Sequence, residues 1–356
     1  MGYAELVADV IRNVTTTPAA DLEEAGPGIS HEVYSKLVPF IIGVITLVGL
    51  VGNSIVVYVI VCQGHLKTVT NYYIVNLAIT DIFYLVFCAP FTASLYATTS
   101  WLFGQFMCKF VFYMMQVTAQ ATCATLTAMS IDRYYAITDP LKSLKTRTPR
   151  VAIVVSVVIW TGSALLAIPV AVYFNDVEFA DGNETYQFCR ATWPYPIFYP
   201  GYAVYCFVML YVIPLSIIAV CYTIVLNRLW KTVAPTEESH APVHLRILMQ
   251  KRRVTRMILA VVLAFAACWI GVHVMSLWRG IDPDNFPKTN MVVFVYQVFA
   301  HLLSYLNSCV NPFVYAFMGG NFRKQMVRAF PFMKGKKNSA TDGPSGSLIK
   351  SKSTQV

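Results

Sequence analysis

The chain has 356 residues, of which 56% are hydrophobic and 13% charged, with a mean hydropathy of +0.56 and a formal net charge of +9. Length alone would suggest about two soluble domains, but this balance excludes them and makes lipid the solvent. Backbone groups in lipid must be satisfied internally, and long continuous apolar stretches point to helices, not to the short alternating strands of a barrel.

In chain order, residues 1–36 are polar and acidic, and Gly26-Pro27-Gly28 breaks any helix there, so a flexible tail is expected. This tail has no apolar run, so the first span is expected to act as an uncleaved signal. Met1-Gly2 opens like a myristoylation site, but Leu6 stands where Ser or Thr is required. Seven apolar stretches follow at 37–62, 71–98, 106–136, 151–174, 200–229, 254–279 and 290–317, each near the roughly 20 residues that a spanning helix needs. Pro39, Pro90, Pro169, Pro214 and Pro312 fall inside or beside them and favour bent helices. The longest outside connection is expected at 174–199. Beyond the seventh span, Phe322, Met326 and Phe330 recur four apart opposite basic residues, which suggests an interfacial helix over 319–331. The remainder, 332–356, reads as a disordered tail. The expected fold is an all-α membrane protein: a seven-transmembrane-helix bundle over 37–318 with a short amphipathic eighth helix.

Lys and Arg set the orientation. Lys142, Lys145, Arg147 and Arg150 lie between spans three and four, and Arg228, Lys231, Arg246, Lys251, Arg252 and Arg253 between five and six. The opposite side carries Asp176, Glu178, Asp181 and Glu184 together with an acidic N-terminal tail. These place the N-terminus outside. The two glycosylation sequons, at Asn13 and Asn183, fall on that same side. The net positive charge is then a bias toward anionic membrane lipids and no sign of nucleic acid. Cys108 and Cys189 both lie near the outer surface, in an oxidising compartment, and are candidates for a disulfide.

Two charged features stand out within the spans. Asp81 sits near mid-membrane, where an unpaired carboxylate is costly. Its potential partners are Asn53, Thr122, Asn307, Ser308 and Asn311. They allow either a hydrogen-bonded knot or a hydrated cavity in which Asp81, Thr122, Asn307 and Asn311 hold Na⁺. Asp132-Arg133-Tyr134 closes span three. Cys108 lies 25 residues before Arg133, which at about 1.5 Å per residue puts Arg133 at the inner surface. There it can snorkel and pair locally, or meet a cytoplasmic partner.

Asn53, Asp81, Asp132-Arg133-Tyr134, Trp160, Pro214, Tyr222, Cys268-Trp269 and Asn311-Pro312-Phe313-Val314-Tyr315 together resemble the rhodopsin-like (class A) G-protein-coupled receptors over about 37–330. Within that class, the run from Gln120 to Ser130, Arg147-Thr148-Pro149-Arg150 and Phe265-Ala266-Ala267-Cys268-Trp269 look most like kisspeptin receptors, with galanin and allatostatin-A receptors next. Gly271 departs from the pattern, since the class usually has proline there.

The resemblance implies a Cys108–Cys189 bridge and a switch built from Arg133, Tyr222, Phe265, Trp269, Asn311, Pro312 and Tyr315. It implies an extracellular peptide ligand and a heterotrimeric G protein, mainly of the Gq class, with arrestin and receptor kinases as further partners. Tyr305 stands where opsins need lysine, and Met115 and Gln116 where amine receptors need aspartate. What remains is a mouth of Phe91, Met115, Gln116, Gln120, His273, His301 and Tyr305, suited to a short amidated peptide. His273 and His301 could equally be ordinary interhelical hydrogen-bonding groups. No cofactor is expected beyond a possible allosteric Na⁺. A transporter would need further charges along a path, and an intramembrane enzyme would need a nucleophile with its base; the spans supply neither set. Within the receptor reading, a galanin-like or allatostatin-like ligand with Gi coupling is the runner-up. The chain's end, with Thr354 two residues before Val356, resembles a ligand for a PDZ domain.

Overall fold

The expected bundle is present in a computed structural model that describes residues 31–62, 68–98, 100–181, 184–231, 242–287 and 290–318, together with 322, 326 and 329. Helix α1 runs over His31–Val57 and ends in a π turn, Tyr58–Cys62. Helix α2 comprises Val69–Phe87 and Ala89–Thr98, α3 is Gly104–Thr138, and α4 comprises Pro149–Leu166 and Ile168–Tyr173. Helix α5 comprises Phe198–Phe207 and Ile213–Lys231 around a π turn at Val208–Val212, α6 is Pro242–Ile281, and α7 is Met291–Met318. A short helix, Pro140–Thr146, joins α3 to α4. Asn13, Asn183, Thr354, Val356 and most of the segment read as an eighth helix lie outside the described residues.

Among the described residues six helices are long and apolar enough by composition to cross a membrane, and α3 is the exception. Its polar content has a structural cause: Gln116, Thr118, Gln120, Thr122, Thr125, Ser130 and Asp132 are all buried. Helix α3 packs against α2, α4, α5 and α6, so its polar side chains meet protein and not lipid. Lipid-facing surface is instead apolar on the outer helices, as at Phe40 and Leu47, which are 68% and 65% exposed.

Strands β1, Phe174–Asp181, and β2, Glu184–Ala191, pair antiparallel with Asp176 opposite Cys189. The hairpin stands where a plain connection is expected at 174–199. Two eight-residue runs flanking Gly182-Asn183 were the available hairpin signal.

Two apolar clusters fill the bundle. One lies toward the hairpin and includes Leu85, Tyr96, Trp101, Phe112 and Tyr305; the other lies toward Arg133 and includes Leu77, Tyr222, Phe265, Trp269 and Tyr315. Between them runs a polar layer. Asn53 Nδ2 donates to the Gly49 carbonyl at 2.9 Å and to the Ser308 carbonyl at 2.8 Å. The second contact follows from Pro312, which stands inside α7 and leaves the carbonyl four residues earlier without its helical donor. The same logic operates in α5, where Pro214 frees the Leu210 carbonyl and the Cys123 thiol takes it at 3.1 Å. Asn76 ties three helices, donating to Thr125 at 2.8 Å and accepting from Trp160 Nε1 at 2.9 Å.

Close approach explains two glycines. A Cβ on Gly52 would lie 3.0 Å from both Cβ and Cγ of Pro312, and one on Gly271 would lie 3.0 Å from Ala300 Cβ. Gly271 thus lets α6 pack tightly on α7, and α6 runs unbroken across it. Replacing Gly52 with leucine should lower the thermal midpoint of the solubilised protein, with an overpacking penalty of about 1–3 kcal/mol. Gly43→Leu, where a Cβ meets nothing within 4 Å, should leave it unchanged. Equal midpoints for the two variants would contradict this account of the α1–α7 contact.

Candidate functional site

At the hairpin end the helices leave a cavity of about 700 Å³, counting its open mouth. Met115, Gln116 and His273 line it, as the sequence reading expected. Gln116 Nε2 reaches Cys206 Sγ at 3.7 Å, which links α3 to α5 across the wall. Trp269 and Phe265 contribute to the lining from α6, with ring centroids 6.0 Å apart. Tyr84, Phe112, Phe174, Tyr202 and Ser276 also line the cavity, although periodicity did not nominate them. Among the described residues, none that lines the cavity is charged.

The other expected ligand residues lie behind the wall. His301 is fully buried, and its Nδ1 shares a hydrogen bond of 2.7 Å with the Tyr96 hydroxyl. Tyr305, also fully buried, donates to Thr92 Oγ1 at 2.6 Å and stacks on Tyr84 at 4.9 Å. Phe91 packs against Phe103 and Trp101 near the end of α2. Gln120 is buried one helical turn below Gln116, and neither end of its amide has a hydrogen-bond partner. The physical reason is common to two of them: His301 and Tyr305 each commit a polar atom to α2, at Tyr96 and Thr92, and so do not present it to the cavity.

The hairpin covers this end. Cys108, in the first turns of α3, is disulfide-bonded to Cys189 of β2 with the Cα atoms 5.5 Å apart. The joint is reinforced from α3, where Gln105 Nε2 donates to Asn175 Oδ1 at 2.8 Å and its Oε1 accepts from the Asp176 amide at 2.7 Å. Trp101 adds a backbone bond to the Gln187 carbonyl at 2.7 Å. Gly104 starts α3 in the left-handed region, at φ 70°, so the chain can turn sharply into the helix that carries Cys108. Partial burial pushes the Asp176 carboxyl upward from its ordinary range.

The polar layer places Asp81 and Asn311 in direct contact, Asn311 Nδ2 donating to Asp81 Oδ2 at 2.7 Å. Thr122 and Asn307 are buried as well. The side-chain oxygens of Asn53, Asn307 and Asn311 are buried without a hydrogen-bond partner. Such uncommitted carbonyl oxygens beside a carboxylate are the donor type that a hard cation such as Na⁺ takes, so the residues present fit that ion.

At the opposite end, Arg133 is held by Asp132, at 2.6 Å and 3.2 Å, and by Thr70 at the start of α2. Asp132 is itself shared. Arg147 binds it in a two-point contact, Nε to Oδ1 at 2.6 Å and Nη2 to Oδ2 at 2.8 Å. This role of Arg147 goes beyond the charge bias and the resemblance that mark it in the sequence. The available signal was its position just before Thr148, the N-cap of α4, where the chain turns back to the bundle. Tyr222, Tyr315 and Phe265 are buried in the apolar cluster above Arg133.

Cys108→Ala and Cys189→Ala should each sharply reduce protein at the cell surface, since losing a native disulfide costs about 2–5 kcal/mol in small secreted domains. Peptide mapping without reduction should recover Cys108 and Cys189 in one linked fragment; two free thiols would contradict the bridge.

The model of the family described as "7 transmembrane receptor (rhodopsin family)" matches residues 52–315. The chain is similar to G-protein coupled receptor 54 of Oreochromis niloticus, 41% identical over 316 residues, covering 87% of this chain and 83% of that one. It is 40% identical to the KiSS-1 receptor of Mus musculus, over 83% of this chain and 75% of the other. It is 37% identical to the Allatostatin-A receptor of Bombyx mori, over 82% and 79%. The bundle, the polar layer and these matches give one answer: the chain is a receptor and no enzyme, a member of the rhodopsin family of seven-transmembrane receptors.

Proposed function

We propose that this receptor sits in the plasma membrane with its N-terminus outside and takes a short, kisspeptin-like peptide, amidated at its C-terminus, into the hairpin-end cavity. The observation that carries the ligand class is the cavity lining, which is aromatic and apolar, with polar groups at Gln116, His273 and Ser276 and no charge. A free carboxylate placed there would lose its water and find no cation, at a cost of several kcal/mol. A terminal carboxamide is neutral and can both donate and accept, so it matches the polar groups available. The acidic β1 strand, with Asp176 and Glu178 on one face, would meet basic residues further along the peptide.

Orientation is supported by the disulfide, which belongs in an oxidising compartment, and by the basic residues that collect toward Arg133. The proposed transducer is a heterotrimeric G protein, mainly of the Gq class, acting through phospholipase C and calcium. Arrestin, receptor kinases and a PDZ-domain protein at Thr354 and Val356 are proposed on sequence grounds alone. Peptide must bind one arrangement of the bundle better than the other. Trp269 is placed to sense it, because it lines the cavity and also belongs to the apolar cluster that contains Tyr222 and Tyr315. A galanin-like or allatostatin-A-like ligand with Gi coupling is the second reading, favoured by the similarity to the Allatostatin-A receptor.

Transfected cells exposed to a panel of amidated neuropeptides should release calcium in response to kisspeptin-type peptides, in a manner insensitive to pertussis toxin. Responses confined to galanin-type or allatostatin-type peptides would overturn the ligand assignment, and sensitivity to the toxin would overturn the Gq assignment.

The proposed Na⁺ would be held by Asp81 with Thr122, Asn307 and Asn311, and would favour the arrangement in which those oxygens converge. Asp81→Asn should therefore abolish the effect of sodium on agonist affinity while leaving surface expression near normal. An intact receptor whose agonist affinity falls with sodium, paired with a variant that responds to the same extent, would contradict the site.

A further inference from the structure

The end of the bundle that carries Arg133 must be held shut by something. Among the described residues Arg133 does not supply the bond to α6, since its contacts run to Asp132 and Thr70. Nor could it form an ion pair there, because α6 contains no Asp or Glu along Pro242–Ile281. Helix α6 presents the reverse: Lys251, Arg252, Arg253 and Arg256 crowd within six residues.

Two of these cations reach helix ends. Arg252 Nη2 donates to the Leu229 carbonyl at 3.0 Å, in the last turn of α5. Arg253 Nε donates to the carbonyl of Met318, the last residue of α7, at 2.6 Å. Both acceptors are backbone carbonyls near the last described residues of α5 and α7, and a hydrogen bond whose donor is a cation is stronger than a neutral one. Consecutive helical residues point about 100° apart, so the adjacent arginines straddle α6 and grip a neighbour on each side. Their guanidiniums are partly buried, which limits competition from water.

We propose that Arg252 and Arg253 form a clasp that holds α6 between the ends of α5 and α7, and that both bonds must break before this end of the bundle can open. The clasp stands in for an α3–α6 ion pair, which the composition of α6 forbids. It also divides the work between two sites: Asp132 and Thr70 restrain Arg133, while Arg252 and Arg253 restrain α6.

The test uses the full-length receptor in nanodiscs without ligand or G protein, with spin labels at Met249→Cys on α6 and Leu141→Cys on the short helix after α3. These positions are 65% and 81% exposed, and Cys62→Ser removes the one exposed free cysteine among the described residues. Arg252→Ala with Arg253→Ala should raise the population of a longer label separation at least fivefold over the labelled parent. Arg256→Ala, an exposed cation of the same helix, should match the parent. A double variant with the parent's distance distribution would overturn the clasp, as would an equal shift in the Arg256 variant. If the double variant does not reach the membrane, Arg252→Gln and Arg253→Gln decide singly, since each keeps an N–H donor and similar volume. Each should give an intermediate shift, and distributions identical to the parent would overturn the proposal.

Discussion

A backbone carbonyl released inside a bilayer has no water to turn to, and much of this structure follows from answering such carbonyls from within the protein. Each proline that bends a helix withdraws one donor. Asn53 answers the Ser308 carbonyl exposed by Pro312, and Cys123 answers the Leu210 carbonyl exposed by Pro214. These answers come from other helices, so both bends are also interhelical ties. The contact from Asn53 further needs Gly52, because a side chain there would keep α1 from reaching Pro312.

The ties sit where the two apolar clusters meet, and this arrangement separates the molecule into a ligand end and a switch end that share one layer. Asp81 bonded to Asn311 lies in it, with buried amide oxygens nearby that lack partners. A fully satisfied layer would be a rigid girder. One with spare acceptors can be completed by a cation or water in one arrangement and dismantled in another. The switch end has the same character, since Asp132 is bound by two arginines at once and α6 is held by bonds to carbonyls, all of which can be exchanged.

The spans were legible from apolar length, and the paired cysteines from their common side of the membrane. The family was legible from single residues such as Asn53, Asp81, Arg133 and Pro312, whose types are costly or disruptive in lipid unless something specific uses them. Side-chain direction was not legible. The polar stripe of α7, Gln297, His301, Ser304, Ser308 and Asn311, marks the face that meets protein but not whether a residue meets the cavity or a neighbouring helix, so His301 and Tyr305 were placed at the mouth when Tyr96 and Thr92 had already claimed them. Tyr84 went unnoticed for the same reason, and Phe174 because it opens β1, where a plain connection is expected. The hairpin escaped because its strands alternate weakly, and Arg147 because its partner lies 15 residues back along the chain.

The central claim is that the uncharged cavity beneath the hairpin receives the ligand's terminal residue. It is tested most directly by photo-crosslinking a kisspeptin-type amidated peptide whose last aromatic residue is replaced by benzoylphenylalanine, followed by mass spectrometric mapping of the adduct. The account predicts attachment on α3 and α6 around Met115, Gln116 and His273. Adducts confined to the hairpin strands or to residues 1–30, with none on those helices, would contradict it.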